Sequence, residues 1–134
     1  MRVQRCSAER ARAIMTTSAP GDDTRHIQDG DECWRLDDDA SLALNLSGCL
    51  PGHAYLAWYG VARTAAGRGL GRRLLATAIK WARGEGLRSI VTYTLSANRN
   101  SNRALLKAGF EPYAPDAAWA GWEGVTYWRL ELCR

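Results

Sequence analysis

The strongest constraint on the fold of this chain is a glycine-dense loop between an apolar run and an amphipathic segment. The apolar run ends at Val61, and Gly67, Gly69 and Gly71 follow before Leu74. Glycine lets backbone N–H groups approach a ligand without hindrance from a Cβ atom. If residues 70–83 are helical, those groups lie at the positive end of the helix, which favours phosphate. The loop therefore predicts a strand–loop–helix junction that binds a phosphate-bearing ligand.

This loop differs from the two common phosphate-binding fingerprints. The Gly-Lys-Ser/Thr that ends a P-loop is missing, and Arg72 stands after Gly71, so the spacing is not that of the dinucleotide pattern. For the glycines taken alone, a tight turn without a ligand remains the alternative.

Composition limits the remaining classes of protein. The 134 residues suffice for one domain (1–134), and the net charge of +4 fits an anionic ligand without a basic–aromatic ladder for nucleic acid. Cys6, Cys33, Cys49 and Cys133 lack metal-ligand spacing, so we expect no metal site. No apolar run is long enough for a membrane span or a signal peptide, which predicts a cytoplasmic protein with no membrane partner.

Hydrophobic periodicity predicts alternating strands and helices. Ser7 is a candidate N-cap for a helix to about Met15, and a hairpin follows around the acidic triplet at 37–39. Residues 53–61 and 88–95 are predicted strands that flank the helix at 70–83, which implies a parallel pair. Asn100 or Ser101 is expected to cap a short helix that ends at Gly109, and a strand follows at 125–132.

A second motif gives the glycine loop its context. Asn98, Ser101, Lys107, Gly109 and Phe110 follow the second predicted strand, with Asn98 eleven residues before Gly109. With the loop, the helix and the strand between them, the chain resembles the GNAT (N-acetyltransferase) superfamily over about residues 53–113. The resemblance implies an α/β (α+β) fold: a mixed, splayed central sheet of about six to seven strands with helices on both faces.

The resemblance also implies acetyl-CoA as acyl donor and a primary amine as acceptor. Backbone groups of the first motif would bind the pantetheine arm and the pyrophosphate, and residues of the second motif would contact the cofactor beside them. The residues implied for cofactor binding are Val61, Ala62, Arg63, Ala66, Gly67, Arg68, Gly69, Leu70, Gly71, Arg72, Asn98 and Ser101. Ala66 departs from the usual Arg or Gln of the loop, a role that is largely carried by the backbone.

The catalytic half of the family pattern is altered. Leu105 stands where many members carry a tyrosine that protonates the leaving thiolate, and Tyr55 and Tyr93 stand where others carry a glutamate base. A tyrosine can donate a proton but is a poor base, so Tyr93 or Tyr55 becomes the candidate acid. His53 is the first candidate base because histidine titrates near neutral pH. The other candidates for the base are Glu32, Asp116 and Glu123.

The acceptor and the assembly stay open at this point. Trp119, Trp122, Tyr127 and Trp128 could line an acceptor site, form a homodimer face or pack in the core. Two alternatives to CoA-dependent N-acyl transfer also remain. One is the same fold with another acyl donor, an aminoacyl-tRNA or a carrier-protein thioester. The other is a catalytically weakened, regulatory CoA-binding module.

Overall fold

A seven-stranded mixed sheet organises the molecule. A computed structural model describes residues 2–48, 51–115 and 123–132. The strand order is β1-β2-β3-β4-β5-β7-β6. All neighbouring strands are antiparallel except β4 and β5, which run parallel. The predicted parallel pair is confirmed, and the strand count lies within the expected range.

The helices and strands follow the hydrophobic periodicity closely. The strands are β1 (Gln4–Cys6), β2 (Glu32–Leu36), β3 (Ala40–Asn45), β4 (His53–Val61), β5 (Ser89–Leu95), β6 (Glu111–Pro112) and β7 (Val125–Glu131). The helices are α1 (Ala8–Ser18), α2 (Leu70–Gly84) and α3 (Arg99–Ala108), with short 3₁₀ turns at Thr24–His26 and Arg63–Ala65.

Helices cover both faces of the sheet, as expected. α1 packs on one face, where Met15 and Ile27 lie against Cys33 and Ala43 of the strands. α2 and α3 pack on the other face, and their buried leucines meet the larger core. Successive strand residues point to opposite faces, so Cys33 and its neighbour Trp34 belong to different cores.

Two helix boundaries differ from the sequence prediction. α1 continues three residues past Met15, to Ser18, although its predicted N-cap is confirmed: Ser7 accepts a hydrogen bond from the N–H of Arg10 at 3.0 Å. α3 is capped by Asn98 and not by Asn100 or Ser101, since the Asn98 side chain accepts from the N–H of Ser101. The cap lies earlier because the chain turns directly after β5.

Two further features of the described residues bear on the kind of protein. No helix in the described ranges has both the length and the apolar character that a membrane crossing requires. Nor do the same ranges contain a cluster of three or more His, Cys, Asp or Glu side chains that could hold a metal ion. The acidic triplet at 37–39 forms the turn between β2 and β3, with Asp37 at a φ of +47°.

Candidate active site

The sheet opens between β4 and β5. The two strands pair only from His53 with Ser89 to Tyr55 with Val91. Past that point β4 stays on β3 and β5 stays on β7, each to its last residues. In the described sheet, the edge of β4 from Ala57 to Val61 therefore has no strand partner on its β5 side. Its peptide groups are available to an extended ligand, as in β-strand addition.

A side chain closes the narrow end of this opening. The hydroxyl of Thr92, the first β5 residue after the last pair, donates to the carbonyl oxygen of Leu56 at 2.9 Å. Thr92 is buried, and this bond satisfies a carbonyl that the divergence of the strands would leave unpaired. Thr92 thus fixes where pairing ends and where the opening begins.

A β-bulge sets which side chains face the opening. Ala43 of β3 pairs with Trp58, but the next residue, Leu44, pairs with Leu56, so Ala57 is an extra residue in β4. The bulge reverses the alternation of side chains along β4. Tyr55 faces the α1 side of the sheet, whereas Tyr59 lies under α2, where a Cβ atom on Gly71 would meet its hydroxyl at 2.8 Å. Burial raises the pKa of Tyr59, so its hydroxyl stays protonated.

The opening forms a cavity of about 210 Å³, here called the strand slot. Its walls come from the turn after α1, from β4 and β5, and from the start of α3. The lining residues are Asp22, His26, Tyr55, Leu56, Ala57, Trp58, Tyr59, Thr92, Tyr93, Thr94, Leu95, Asn98, Ser101 and Leu105. None of these described residues is lysine or arginine.

A row of tyrosines stands beside the slot on the α1 face. The rings of Tyr55 and Tyr93 are stacked, with centroids 6.2 Å apart and planes 9° apart. Tyr127 of β7 pairs with Tyr93 in register, and their ring centroids are 6.5 Å apart. The hydroxyl of Tyr127 is buried, and no described group forms a hydrogen bond with it. This tyrosine row gives the slot an aromatic wall.

A second cavity of about 550 Å³, here called the helix groove, lies between α2 and α3. Gly67 and Gly69 line one end, and both have positive φ angles, +84° and +71°, which favour glycine. Gly69 is the N-cap of α2 and offers no side chain to the first turn. The N–H groups of that turn lack intrahelical acceptors, so they are donors available to an anion.

The charge of the helix groove matches an anionic ligand. Its basic side chains are Arg72, Arg83, Arg103 and Lys107, and no acidic residue is among its described lining residues. A Cβ atom on Gly67 would have no neighbour within 4 Å, so the space above the loop is open. A phosphate-rich ligand fits this set of donors, charges and open space.

The sequence matches a family model that covers residues 25–110, that of the acetyltransferase (GNAT) family. The match spans well over half of the chain and includes the glycine loop and every lining residue of the strand slot except Asp22. The chain belongs to the GNAT family of acetyltransferases. No curated protein sequence matches it at a significant level.

Solved structures of GNAT proteins share the fold at low sequence identity. A GNAT-family protein from Desulfovibrio desulfuricans has 20% identity and a TM-score of 0.77, over 98% of this chain and 99% of that one. An acetyltransferase from Bacillus subtilis in complex with CoA has 17% identity and a TM-score of 0.76, over 98% and 99%. The protein yncA from Salmonella typhimurium, solved with its cofactor acetyl-CoA, has 18% identity and a TM-score of 0.70, over 100% and 95%.

Within this GNAT domain, the residues predicted for CoA lie around the helix groove and the strand slot. Gly67, Gly69 and Arg72 line the helix groove, and Asn98 and Ser101 line the strand slot. The remaining predicted residues lie at the end of β4 (Val61), in the connecting loop (Ala62, Arg63, Ala66 and Arg68) and in the first turn of α2 (Leu70 and Gly71). Of these, Val61, Ala62 and Leu70 also pack against the larger core.

Only some of the predicted catalytic residues line the strand slot. Tyr55 and Tyr93 line the strand slot, next to Leu105, whose apolar side chain is buried in the core. His53 does not line it: its Nδ1 lies 2.6 Å from the hydroxyl of Ser89, at the end of β4 where the strands still pair. Glu32 forms an ion pair with Arg5 at the β1 edge of the sheet.

The five remaining candidates near the carboxyl end have different outcomes. Asp116, Trp119 and Trp122 lie outside the described residues. Glu123 is exposed and lines neither cavity. Trp128 is a core residue, and its Nε1 donates to the hydroxyl of Thr94 at 2.9 Å, so core packing is the correct interpretation for it.

The sequence interpretation missed the turn after α1. Residues 16–31 look like a polar loop, yet Asp22 and His26 line the strand slot. The available signal was the presence of only two histidines in the chain. Sequence spacing could not show that His26 lies beside β4 and β5.

Proposed function

We propose that this GNAT domain transfers an acetyl group from acetyl-CoA to a primary amine. The observation that carries the proposal is the pairing of a basic, glycine-bordered helix groove with an opening in the sheet. The groove suits the phosphates of a CoA thioester, and the unpaired edge of β4 suits the amide groups of its pantetheine arm. The solved relatives that bind CoA and acetyl-CoA support this donor.

Each part of the chain has a distinct task in this proposal. Backbone N–H groups at Gly69 to Gly71 and the side chains of Arg72 and Arg103 would hold the phosphates. The edge of β4 past Ala57 would orient the thioester in the strand slot. Bound acetyl-CoA supplies an activated acyl carbon and a thiol leaving group. Tyr93, with Tyr55 as the alternative, would supply the proton for that thiol, because Leu105 has none to give.

Binding and turnover test the proposal separately. Calorimetry should detect acetyl-CoA binding that weakens with salt, because exposed charges are screened. Thiol release with a panel of primary amines should then exceed the rate without amine. Binding without release for any amine would favour the regulatory CoA-binding module. Absence of binding, together with acylation from an aminoacyl-tRNA or a carrier-protein thioester, would favour the other donor class.

A further inference from the structure

The turn after α1 holds a histidine at the strand slot. Asp23 caps the 3₁₀ turn, since its carboxylate accepts from the N–H of Arg25 at 2.9 Å. On the other side of His26, the Ile27 side chain is buried in the α1-face core, and its carbonyl accepts from Arg12 of α1 at 2.9 Å. His26 is therefore an exposed side chain on a backbone that is fixed on both sides.

Few of the described residues that line the slot can accept a proton near neutral pH. Of the titratable side chains there, Tyr55, Tyr59 and Tyr93 are phenols, which leaves Asp22 and His26. An imidazole is better matched than a carboxylate to an ammonium proton at neutral pH. The sequence-based candidates His53 and Glu32 bond elsewhere, to Ser89 and Arg5.

We propose that His26 is the general base that deprotonates the acceptor amine, and that the acceptor enters the strand slot from the turn at 22–26 as an ammonium ion. This inference rests on the proposed acetyl transfer. The tyrosine row and the carboxylate of Asp22 suit such a cation, because aromatic faces and carboxylates attract ammonium groups. The absence of lysine and arginine from the described lining of the slot removes like-charge repulsion.

The proton balance assigns one task to His26. An imidazole nitrogen takes one proton from the ammonium group, directly or through one water molecule. The freed lone pair forms the new C–N bond as the C–S bond of the thioester breaks. A second proton leaves the nitrogen and replaces the one that Tyr93 gives to the departing sulfur, which ends as a thiol. The proton on His26 then passes to solvent, so one ammonium ion and one thioester give one amide, one thiol and one released proton.

Most of the charged side chains around His26 are already paired with one another. Asp23 lies beside it, and hydrogen bonds from Arg25 hold the pKa of that carboxyl down at about 2. Arg25 is committed to Asp23, and Arg12 of the packed helix pairs with Asp29. The remaining carboxylate at the slot is Asp22.

The pH dependence of His26→Gln tests this proposal. In the unaltered protein, kcat/KM should fall as the pH is lowered, because a protonated imidazole cannot act as a base. His26→Gln should lose about 10²-fold in kcat/KM at neutral pH, and the remaining rate should follow the ionisation of the amine itself. Arg25→Gln, on the same turn, controls for a disturbed backbone and should keep the acidic limb of the pH profile, that is, the decrease in kcat/KM at low pH.

The basicity of the acceptor separates a base from a merely structural residue. A poorly basic amine, such as trifluoroethylamine, is already neutral at pH 7.5 and needs no deprotonation. The loss caused by His26→Gln should therefore shrink to less than about fivefold with it. An equal loss for basic and poorly basic amines would overturn the proposal. An acidic limb that survives in His26→Gln and disappears in His53→Gln would transfer the role to His53.

A binding readout distinguishes failure of this inference from failure of the proposed function. Acetyl-CoA affinity by calorimetry should be unchanged within twofold in His26→Gln. The chain has two histidines, so their imidazole NMR signals can be assigned with the two Gln variants. Adding a primary amine should shift the His26 signal more than that of His53; the reverse would contradict the proposal. If the unaltered protein binds no acetyl-CoA, the donor assignment fails instead.

Discussion

The helix groove and the strand slot differ in how they are assembled. The groove is built from two nearby stretches, residues 67–83 of the loop and α2 and residues 100–108 of α3, with only β5 and its flanking turns between them. The slot combines the turn at 22–26 with β4, β5 and the start of α3. The groove is basic, whereas the described lining of the slot is aromatic and has no basic side chain apart from histidine. A phosphate site needs backbone donors and charge, which neighbouring residues can supply; a reaction site needs groups from several directions.

The largest expected effect concerns the aromatic wall of the slot. Tyr93→Phe should leave acetyl-CoA binding unchanged and lower kcat by about 10²-fold if the hydroxyl protonates the thiolate. Tyr55→Phe, the stacked neighbour, should have the smaller effect. Steady-state thiol release measures both variants. Full turnover in Tyr93→Phe would mean that Tyr93 only lines the slot, and that water or the substrate protonates the leaving thiolate.

The next effect concerns the closed end of the slot. Thr92→Val keeps the shape of the side chain but leaves the Leu56 carbonyl without its 2.9 Å bond, at a cost of about 1–3 kcal/mol in the free energy of unfolding. Thr77→Val is the matched control, because the half-buried Thr77 makes a solvent-exposed bond within its own helix, to the Arg73 carbonyl. Urea unfolding of both should separate them; equal midpoints would mean that Thr92 does not hold the two strands at the opening.

The smallest effect concerns the charge of the groove. Neutralising two basic residues of α3, Arg103→Gln with Lys107→Gln, should raise the acetyl-CoA Kd by about tenfold at low salt and less at high salt. Arg99→Gln, on the same helix but outside the groove lining, should change Kd little. Calorimetry at two salt concentrations checks this. Equal Kd values for the double variant and the control would mean that the phosphates bind elsewhere.

Glycine substitutions are weaker probes of the loop than its sequence suggests. A Cβ atom on Gly71 would clash with the Tyr59 ring, so a side chain there disturbs packing under α2 before it meets any ligand. Gly67 has open space around it and a φ of +84°, so substitution there strains the backbone. A substitution of a loop glycine thus changes core packing, backbone conformation and the space for a ligand at the same time. Charge variants of the groove report on ligand binding alone and are the better test.

Much of the fold follows from local patterns. The buried stripe of α2, from Leu70 to Ala82, and the strand His53–Val61 lie where the periodicity predicts them, because one buried face imposes a regular spacing of apolar residues. The capping residue of α3 was predicted wrongly, since Asn98, Asn100 and Ser101 are all good caps and the choice depends on how β5 ends.

The sequence by itself determined the family and the glycine loop at the start of α2, because their parts are neighbours along the chain and leave a fixed spacing. Only the tertiary structure decided the composition of the strand slot. The bulge at Ala57 turns Tyr59 away from Tyr55, Thr92 ends the pairing of β4 with β5, and the turn at 22–26 brings His26 to the opening. These contacts join residues far apart in sequence, so no spacing pattern of neighbouring residues predicts them.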